Sequence, residues 1–203
     1  MLSRWRLIDS GNCNPSFNMA LDEAIFHFIQ DRKSSPTLRF YGWNKTSLTI
    51  GLFQRTNSIN FPYCKKIGIP VIRRPTGGRG VLHQEELTYS VSAFNEGVFS
   101  HGLFQTYYQI SKALVTAFKS LGIDVEFCES KRSIERQQTP FCFNSVSYSE
   151  ITYRGYKIVG SAQKRTKKAF LQQGSIPFTI DNEKLKNIFN DHKVSMIETP
   201  TIR

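Results

Sequence analysis

One short segment, 73–83, contains three arginines, three glycines and a histidine. It reads Arg-Arg-Pro-Thr-Gly-Gly-Arg-Gly-Val-Leu-His. Glycine has no Cβ, so a loop with two adjacent glycines and a third at Gly80 can pass close to a ligand and point backbone N–H groups at it. Arginine side chains beside such N–H groups suit a phosphate or a carboxylate. A basic β-turn between two strands explains the same residues equally well, and both interpretations stay open on this segment alone.

One cysteine and one lysine are candidates for covalent chemistry. Cys142 lies in Pro-Phe-Cys-Phe-Asn, and Lys157 lies in a predicted strand that reads Tyr-Lys-Ile-Val-Gly-Ser-Ala. If the two side chains meet, the ammonium stabilises a thiolate nucleophile. A free cysteine beside phenylalanines is more often a small core residue, and a strand lysine is more often exposed on the face of a sheet.

Small residues interrupt two predicted strands, at Gly160, Ser161 and Ala162 in the first and at Gly174 and Ser175 in the second. Glycine inside a strand often marks the close approach of a ligand or of another backbone. If the two strands are adjacent, they could line a slot for a linear acyl chain. A tight strand crossing or a bulge explains the pattern almost as well.

Composition describes an ordinary globular chain with a strongly basic balance. The 203 residues are 39% hydrophobic and 21% charged, the net charge is +11 and the pI is about 9.6. This charge favours anionic partners, and nucleic acid is the first class to test. The densest cluster, 164–168, lies beside a predicted hairpin turn, where a solvated face is the simpler interpretation.

The cysteines and the apolar segments indicate a cytoplasmic protein that binds no metal and no membrane. The four cysteines form no Cys-x-x-Cys pair and have no histidine at metal-ligand spacing. The chain opens without a secretory apolar segment, and no run approaches the roughly 20 apolar residues of a membrane span. We therefore expect reduced thiols in the cytoplasm.

The order of predicted elements favours an α+β fold with a mixed, largely antiparallel sheet. Strands are predicted at 5–9, 37–41, 47–53, 71–74, 87–93 and 123–127, followed by a hairpin of 150–153 with 156–163 and a last strand over 169–178. Helices are predicted from Ser16 or Asn18, over 103–121 with Gly122 at its end, and after Asp181. Without repeats or linker-like tracts, residues 1–203 are predicted to form one domain.

Five groups of segments, in this order, resemble the lipoate–protein ligase and octanoyltransferase family, whose catalytic domain is related to biotin–protein ligase. They are 5–9 with 18–24, 39–43 with 48–54, 73–83, 157–163, and 171–175. The resemblance implies a bent mixed sheet flanked by helices around an acyl pocket, which agrees with the α+β prediction. The sequence departs from the family at Gln84 and Gln173, where the family often has Asp or His, and its C-terminus looks short.

The resemblance also implies roles for individual residues. Arg74 and the stretch 80–83 would hold the acyl-adenylate phosphate or the equivalent carbonyl region, two glycines would close the loop, and small strand residues would line the acyl tunnel. The implied substrate-binding residues are Arg74, Gly77, Gly78, Gly80, Val81, Leu82, His83, Gly160, Ser161, Ala162, Gly174 and Ser175. The implied catalytic residues are Cys142 and Lys157, and no metal ligands are implied.

Cys142 separates two branches of the family. In the cysteine-dependent octanoyltransferases, which this chain resembles most, the cysteine takes the acyl group from acyl carrier protein as a thioester and no cofactor is tightly bound. The acceptor is one lysine of a lipoyl domain, in a 2-oxoacid dehydrogenase or a glycine cleavage H-type protein. In the ligases, ATP and Mg²⁺ activate the free acid, Cys142 would be structural, and an accessory domain is often needed, for which 203 residues leave no room. Nucleic-acid binding through 164–168 is the remaining, weaker hypothesis.

Overall fold

The computed structural model describes residues 4–127 and 151–189 of the chain. Within these ranges it contains eleven strands and four helices. The strands are β1 (Arg6–Cys13), β2 (Thr37–Trp43), β3 (Ser47–Ile50), β4 (Val71–Arg73), β5 (Val81–His83), β6 (Glu86–Phe94), β7 (Glu126–Phe127), β8 (Ile151–Tyr153), β9 (Tyr156–Lys157), β10 (Gly160–Arg165) and β11 (Ala169–Pro177). The helices are α1 (Pro15–Gln30), α2 (Phe61–Lys66), α3 (Gly102–Ser120) and α4 (Asn182–Ile188).

The main sheet has five strands in the order β1-β2-β6-β11-β10. β1 and β2 run parallel, and the other three pairs are antiparallel. The α+β prediction with a mixed, largely antiparallel sheet is therefore confirmed. The long β6 and β11 pair over nine residues each, from Glu86 opposite Pro177 to Phe94 opposite Ala169, and form the centre of the sheet.

A smaller sheet carries the arginine–glycine segment. Its order is β4-β3-β5, with β4 parallel and β5 antiparallel to β3. The segment 74–80, called the glycine loop below, connects β4 to β5. One face of this small sheet packs on α2 and α4 through an apolar cluster that includes Leu48, Ile50, Cys64, Leu185 and Phe189.

Helix α1 begins two residues before the earlier of the two predicted starts. The Asn14 side chain accepts a hydrogen bond from the Ser16 backbone N–H (2.9 Å), and Pro15 occupies the first helical position, where its missing N–H costs nothing. The prediction of Ser16 or Asn18 as the cap was wrong, because Asn18 is buried and donates to the Gly42 carbonyl (3.0 Å) instead. The predicted end of α3 is confirmed, since Gly122 follows the C-cap with a φ of +78°.

The hairpin predicted from 150–153 and 156–163 is confirmed for β8 and β9, but its second strand was predicted too long, because residues 156–163 belong to two strands in two sheets. β9 pairs with β8 in a third sheet of order β7-β8-β9, whereas β10 pairs with β11 in the main sheet. Between them Ile158 and Val159 are both buried, at 3% and 4% exposed, so the chain stops alternating between faces where it crosses from one sheet to the other. Helix α2 and strand β5 were also absent from the sequence prediction.

Gly174 lies beneath the ring of Tyr89, which faces it across the β6–β11 pair. The Tyr89 hydroxyl reaches over this glycine and lies 2.8 Å from the Ser161 hydroxyl on β10. A Cβ at position 174 would overlap the Tyr89 ring. The close approach that this glycine permits is therefore that of a side chain, which neither sequence interpretation of the small residues had considered.

We expect Gly174→Ala to lower the free energy of unfolding by about 1–3 kcal/mol, because Tyr89 is buried and cannot move aside without strain. Gly77→Ala is the matched control, since a Cβ there meets nothing within 4 Å. We expect the control to change stability by less than about 0.5 kcal/mol. Urea denaturation measures both, and equal losses in the two variants would contradict the role given to the tyrosine ring.

Candidate active site

A narrow cleft lies where the glycine loop meets β10 and β11. Its lining consists of Tyr41, Thr49, Arg74, Val81, His83, Gly160, Ser161, Ala162, Gln173, Gly174 and Ser175. Eight of the twelve implied substrate-binding residues are in this lining, from three segments far apart in sequence. Four implied residues are not, namely Gly77, Gly78, Gly80 and Leu82.

Arg74 lines the cleft and also holds the glycine loop in shape. Its side chain is 5% exposed, and Nη2 donates to the carbonyls of Gly77 (2.6 Å) and Arg79 (2.8 Å). Nη1 lies 3.3 Å from the Thr49 hydroxyl on β3. A guanidinium with several donors in one plane can close a loop in this way and still present positive charge to the cleft.

The glycine loop is packed too closely at Gly78 for any other residue. Its φ is +90°, which side chains rarely adopt, and a Cβ there would lie 2.8 Å from Arg74 Nη2. The Gly78 carbonyl also lies against Gly51, at the end of β3, where a Cβ would overlap it. Of the two adjacent glycines, Gly78 is therefore the one that the packing of this loop on β3 and on Arg74 requires.

His83 is held by hydrogen bonds at both ring nitrogens. Nδ1 lies 2.7 Å from Glu86 Oε1, and Nε2 lies 2.7 Å from the Thr49 hydroxyl. Because a carboxylate only accepts, Nδ1 carries the hydrogen. The indole of Trp43 stacks on the imidazole at a centroid distance of 3.9 Å and fixes the plane of the ring.

Glu86, which the sequence analysis did not identify, accepts hydrogen bonds from His83 and from three other side chains. Its Oε1 also accepts from Trp43 Nε1 (3.1 Å) and from the Thr88 hydroxyl, and its Oε2 accepts from the Ser175 hydroxyl (2.9 Å). The carboxylate thus connects β2, β5, β6 and β11 beside the cleft. Its three-residue spacing from His83 was the one signal in the sequence that could have pointed to it.

A second buried carboxylate, Asp22 on α1, was also missed. Oδ1 accepts from Arg39 Nη1 (2.8 Å) and the Ser90 hydroxyl (2.7 Å), while Oδ2 accepts from the Tyr41 hydroxyl (2.9 Å) and Gln173 Nε2 (2.8 Å). Burial, and then the charge of Asp22, raises the pKa of Tyr41 well above its ordinary value. The Tyr41 hydroxyl at the cleft therefore stays protonated.

Gln173 connects the hydrogen bonds of Asp22 to the glycine loop. Its carbonyl oxygen accepts from the hydroxyl of Thr76, which is fully buried, at 2.8 Å. The glycine loop is thereby joined through one side chain to Asp22 and α1. Gln173 is one of the two positions where the sequence departs from the family pattern, and here it is an integral part of the cleft wall.

Lys157 ends β9, three residues before the cleft residue Gly160. Its side chain is 6% exposed, so the interpretation of an exposed lysine on a sheet face was wrong. Cys142 lies outside residues 4–127 and 151–189, so its distance from this lysine stays a prediction. Among the two described cysteines, Cys64 is buried and burial raises the pKa of its thiol.

Metal ligation and membrane-spanning helices were the next features considered for the described residues. No group of three His, Cys, Asp or Glu residues within 4–127 and 151–189 could hold a metal ion. Over the same residues, every helix is too short or too polar to span a lipid bilayer.

The family described as lipoyl protein ligase A/B catalytic domain matches residues 14–201. The chain belongs to this family. The resemblance inferred from the five groups of segments is thus confirmed, and the chain is an acyltransferase enzyme in a family that also contains ligases.

Relatives within the lipoyl protein ligase A/B family are similar over most of the chain. The octanoyltransferase LipM of Anoxybacillus flavithermus is 43% identical over 192 residues, which cover 91% of this chain and 69% of the relative. The octanoyltransferase LipM of Bacillus subtilis is 42% identical with the same coverage. These identities support the octanoyltransferase branch over the ligases.

Solved structures of the family share the fold. A lipoate-protein ligase A bound with ATP superposes with a TM-score of 0.74 at 27% identity, over 93% of this chain and 72% of that one. A putative lipoate protein ligase from T. acidophilum with bound lipoic acid also has a TM-score of 0.74, at 26% identity, over 94% of this chain and 74% of that one.

We expect Asp22→Ala to lower the free energy of unfolding by about 3–5 kcal/mol, because it leaves the fully buried Arg39 guanidinium without its carboxylate. Glu23→Ala is the adjacent control. The Glu23 side chain is 48% exposed and pairs only loosely with His27 and Lys164, so its loss should cost less than about 1 kcal/mol. Urea denaturation gives both values, and a cost for Asp22→Ala as small as that of the control would disprove the network's importance.

We expect Glu86→Gln to weaken the hold on the His83 ring, because a neutral amide oxygen accepts the Nδ1 hydrogen less strongly than the charged carboxylate does. The chain has only four histidines, so ¹⁵N–¹H spectra of the imidazoles can follow this ring. The wild type should show a protonated, exchange-protected Nδ1, and the variant should lose the protection. Glu85→Gln, at an exposed neighbouring position, should leave the spectrum unchanged, and an unaltered His83 signal in both variants would refute the role of Glu86.

Proposed function

We propose that the protein transfers an octanoyl group from acyl carrier protein to a specific lysine of a lipoyl domain, in the pathway of protein lipoylation. The observation that carries this proposal is the 41–43% identity to octanoyltransferases over more than nine-tenths of the chain. The cleft agrees with it chemically, because the small residues Gly160 and Ala162 form part of its wall.

In the proposed first half-reaction the Cys142 thiolate attacks the thioester carbonyl of the carrier. The carbon–sulfur bond to the carrier breaks, the carrier leaves as a thiolate that takes a proton from solvent, and the octanoyl group remains on Cys142 as a thioester. In the second half-reaction the neutral amine of the acceptor lysine attacks this thioester, forms the amide, expels the Cys142 thiolate and releases one proton to solvent.

Lys157 is proposed to stabilise the thiolate and the oxyanion of each tetrahedral intermediate. Its side chain is 6% exposed, and a charge in such a position is screened less than one in water. The topology supports its proximity to the nucleophile. Phe127 pairs with Ile151 and Thr152 pairs with Lys157, so both ends of the segment that contains Cys142 are fixed to the sheet that contains this lysine.

The acyl chain would enter the cleft by displacing side chains. The cavity volume is about 30 Å³, close to the share of a single water in the liquid. An eight-carbon chain therefore needs the lining side chains to move apart, and the glycine loop and β10 are the two segments between which it would lie.

A second candidate function is an ATP-dependent lipoate–protein ligase with Cys142 as a structural residue. The observation in its favour is the TM-score of 0.74 to a ligase bound with ATP. In that case Arg74 and the glycine loop would face the phosphate of an acyl-adenylate. Both candidates place the protein in the cytoplasm with an acceptor lipoyl domain as partner.

Offering two donors side by side distinguishes the two functions. One reaction contains octanoyl carrier protein, and the other contains octanoate with ATP and Mg²⁺, each with an acceptor lipoyl domain followed by intact mass. The transferase proposal expects acylation from the carrier alone. Acylation that requires ATP, with release of pyrophosphate, would establish the ligase instead.

We expect Cys142→Ala to abolish the octanoyl adduct on the enzyme and Lys157→Met to slow its formation by about 10²–10³-fold. The matched controls are Cys13→Ser, a half-buried thiol on β1, and Lys112→Met, an exposed lysine on α3. Both controls should acylate at the wild-type rate when the adduct is followed by mass. An adduct that survives Cys142→Ala would remove this cysteine from the mechanism.

A further inference from the structure

One continuous part of the chain is basic without any acidic residue. Between Asp31 and Glu85 the sequence has no Asp and no Glu. Residues 45–83 of this stretch, called the basic lobe below, form β3, α2, β4, the glycine loop and β5. The lobe's basic residues are Lys45, Arg55, Lys65, Lys66, Arg73, Arg74 and Arg79. Much of the net charge of +11 is therefore concentrated on the side of the cleft that carries the glycine loop.

The most exposed large apolar side chain of the described residues lies on this lobe. Phe53 is 87% exposed, in the loop that leaves β3. Arg73 holds that loop in a fixed shape, because its Nη1 donates to the carbonyls of Gly51 (2.6 Å), Leu52 (3.0 Å) and Gln54 (3.0 Å). The ring is thus presented to solvent by an ordered backbone.

The Phe53 loop and the glycine loop form one unit. The Leu52 N–H donates to the Thr76 carbonyl (2.8 Å), and Gly51 packs directly against the Gly78 carbonyl. Because Arg74 of the glycine loop borders the cleft, the exposed ring lies at a fixed distance from its mouth. A partner that binds the ring is therefore held in a defined position relative to the cleft.

We propose that Phe53 and Arg55, with the guanidinium of Arg73 beneath them, form the docking surface for the acidic acyl carrier donor. This inference rests on the proposed transferase function. An exposed aromatic anchor surrounded by positive charge suits a small acidic domain, whose approach the field of the lobe accelerates.

The charge of the lobe favours the donor over the acceptor as its occupant. The donor's thioester is attached through an arm that contains a phosphodiester, so the donor brings negative charge both on its domain and close to the cleft. The acceptor presents a lysine, which arrives as a cation. The basic residues of the lobe attract the donor's phosphodiester and repel a cation that arrives at the same place.

The test separates docking from chemistry by using two donors that carry the same acyl group. Acylation of the enzyme is followed by intact mass with octanoyl carrier protein and with octanoyl-pantetheine, which has no protein domain. For Phe53→Ala and Arg55→Glu we expect the carrier concentration at half-maximal rate to rise about tenfold, and the rate with octanoyl-pantetheine to stay unchanged. The effect of Arg55→Glu should shrink as salt is raised, because the charges are exposed to solvent.

Two variants on other elements serve as matched controls. Phe28→Ala removes a ring that is 56% exposed on α1, and Lys112→Glu reverses an exposed charge on α3. Both should behave as wild type with either donor. Phe53 contributes little buried surface, so thermal unfolding of Phe53→Ala should match that of wild type.

Each contrary outcome has a separate meaning. A wild type that forms no adduct with either donor would refute the proposed function itself. Variants that acylate normally from the carrier, or that lose activity equally with octanoyl-pantetheine, would overturn the docking surface. Slowing confined to transfer from purified acyl-enzyme to a lipoyl domain would assign the surface to the acceptor and overturn the donor proposal.

Discussion

The cleft depends on one carboxylate that has no contact with solvent. Asp22 accepts four hydrogen bonds, two of them from Arg39 and Gln173, and Gln173 in turn holds Thr76 of the glycine loop. A buried charge is costly unless its partners are complete, so this set of contacts tolerates little displacement. The position of the glycine loop is consequently determined by the main sheet and α1 as much as by its own residues. The second carboxylate, Glu86, has the same effect on His83 from the opposite side of the cleft.

Both carboxylate networks include residues of β6, whose alternation of polar and apolar residues suggests a solvated face that the strand does not have. From Thr88 to Ala93 polar and apolar residues alternate, which normally indicates a strand with one solvated face. Here both faces are buried. Tyr89 and Val91 pack in the apolar cluster on one face, whereas Ser90 on the other face donates to Asp22 beneath α1. Thr88 and Ser90 of this strand are therefore internal hydrogen-bond donors, and the carboxylates that accept from them stabilise their burial.

Features that depend on neighbouring residues were predictable from the sequence, and features that depend on distant partners were not. The α+β class and the end of α3 at Gly122 followed from local pattern, and the grouping of the glycine loop with the small residues of β10 and β11 followed from the resemblance to the family. The Asp22 network did not, because its partners lie from 17 to 151 residues away. Gly174 shows the same limit. A glycine at this position of a strand indicated that another group approaches closely. The identity of that group, Tyr89, is determined by the register of the strands. The break between Lys157 and Gly160 was hidden because a short apolar run does not reveal a change of sheet.

That break explains how the parts of the proposed reaction are divided. The cleft walls belong to the main sheet and the small sheet, whereas Lys157 belongs to the third sheet and precedes the cleft by the two buried residues Ile158 and Val159. In the proposed reaction the acyl chain thus binds between the main sheet and the small sheet, whereas the third sheet supplies the positive charge. The third sheet joins the main sheet through Ile158 and Val159. Because the boundary residues are packed into the core, the lysine cannot shift along the chain axis without opening the apolar cluster around them. The third sheet therefore fixes the charge at one place relative to the cleft, which is the condition that preorganised electrostatic stabilisation requires.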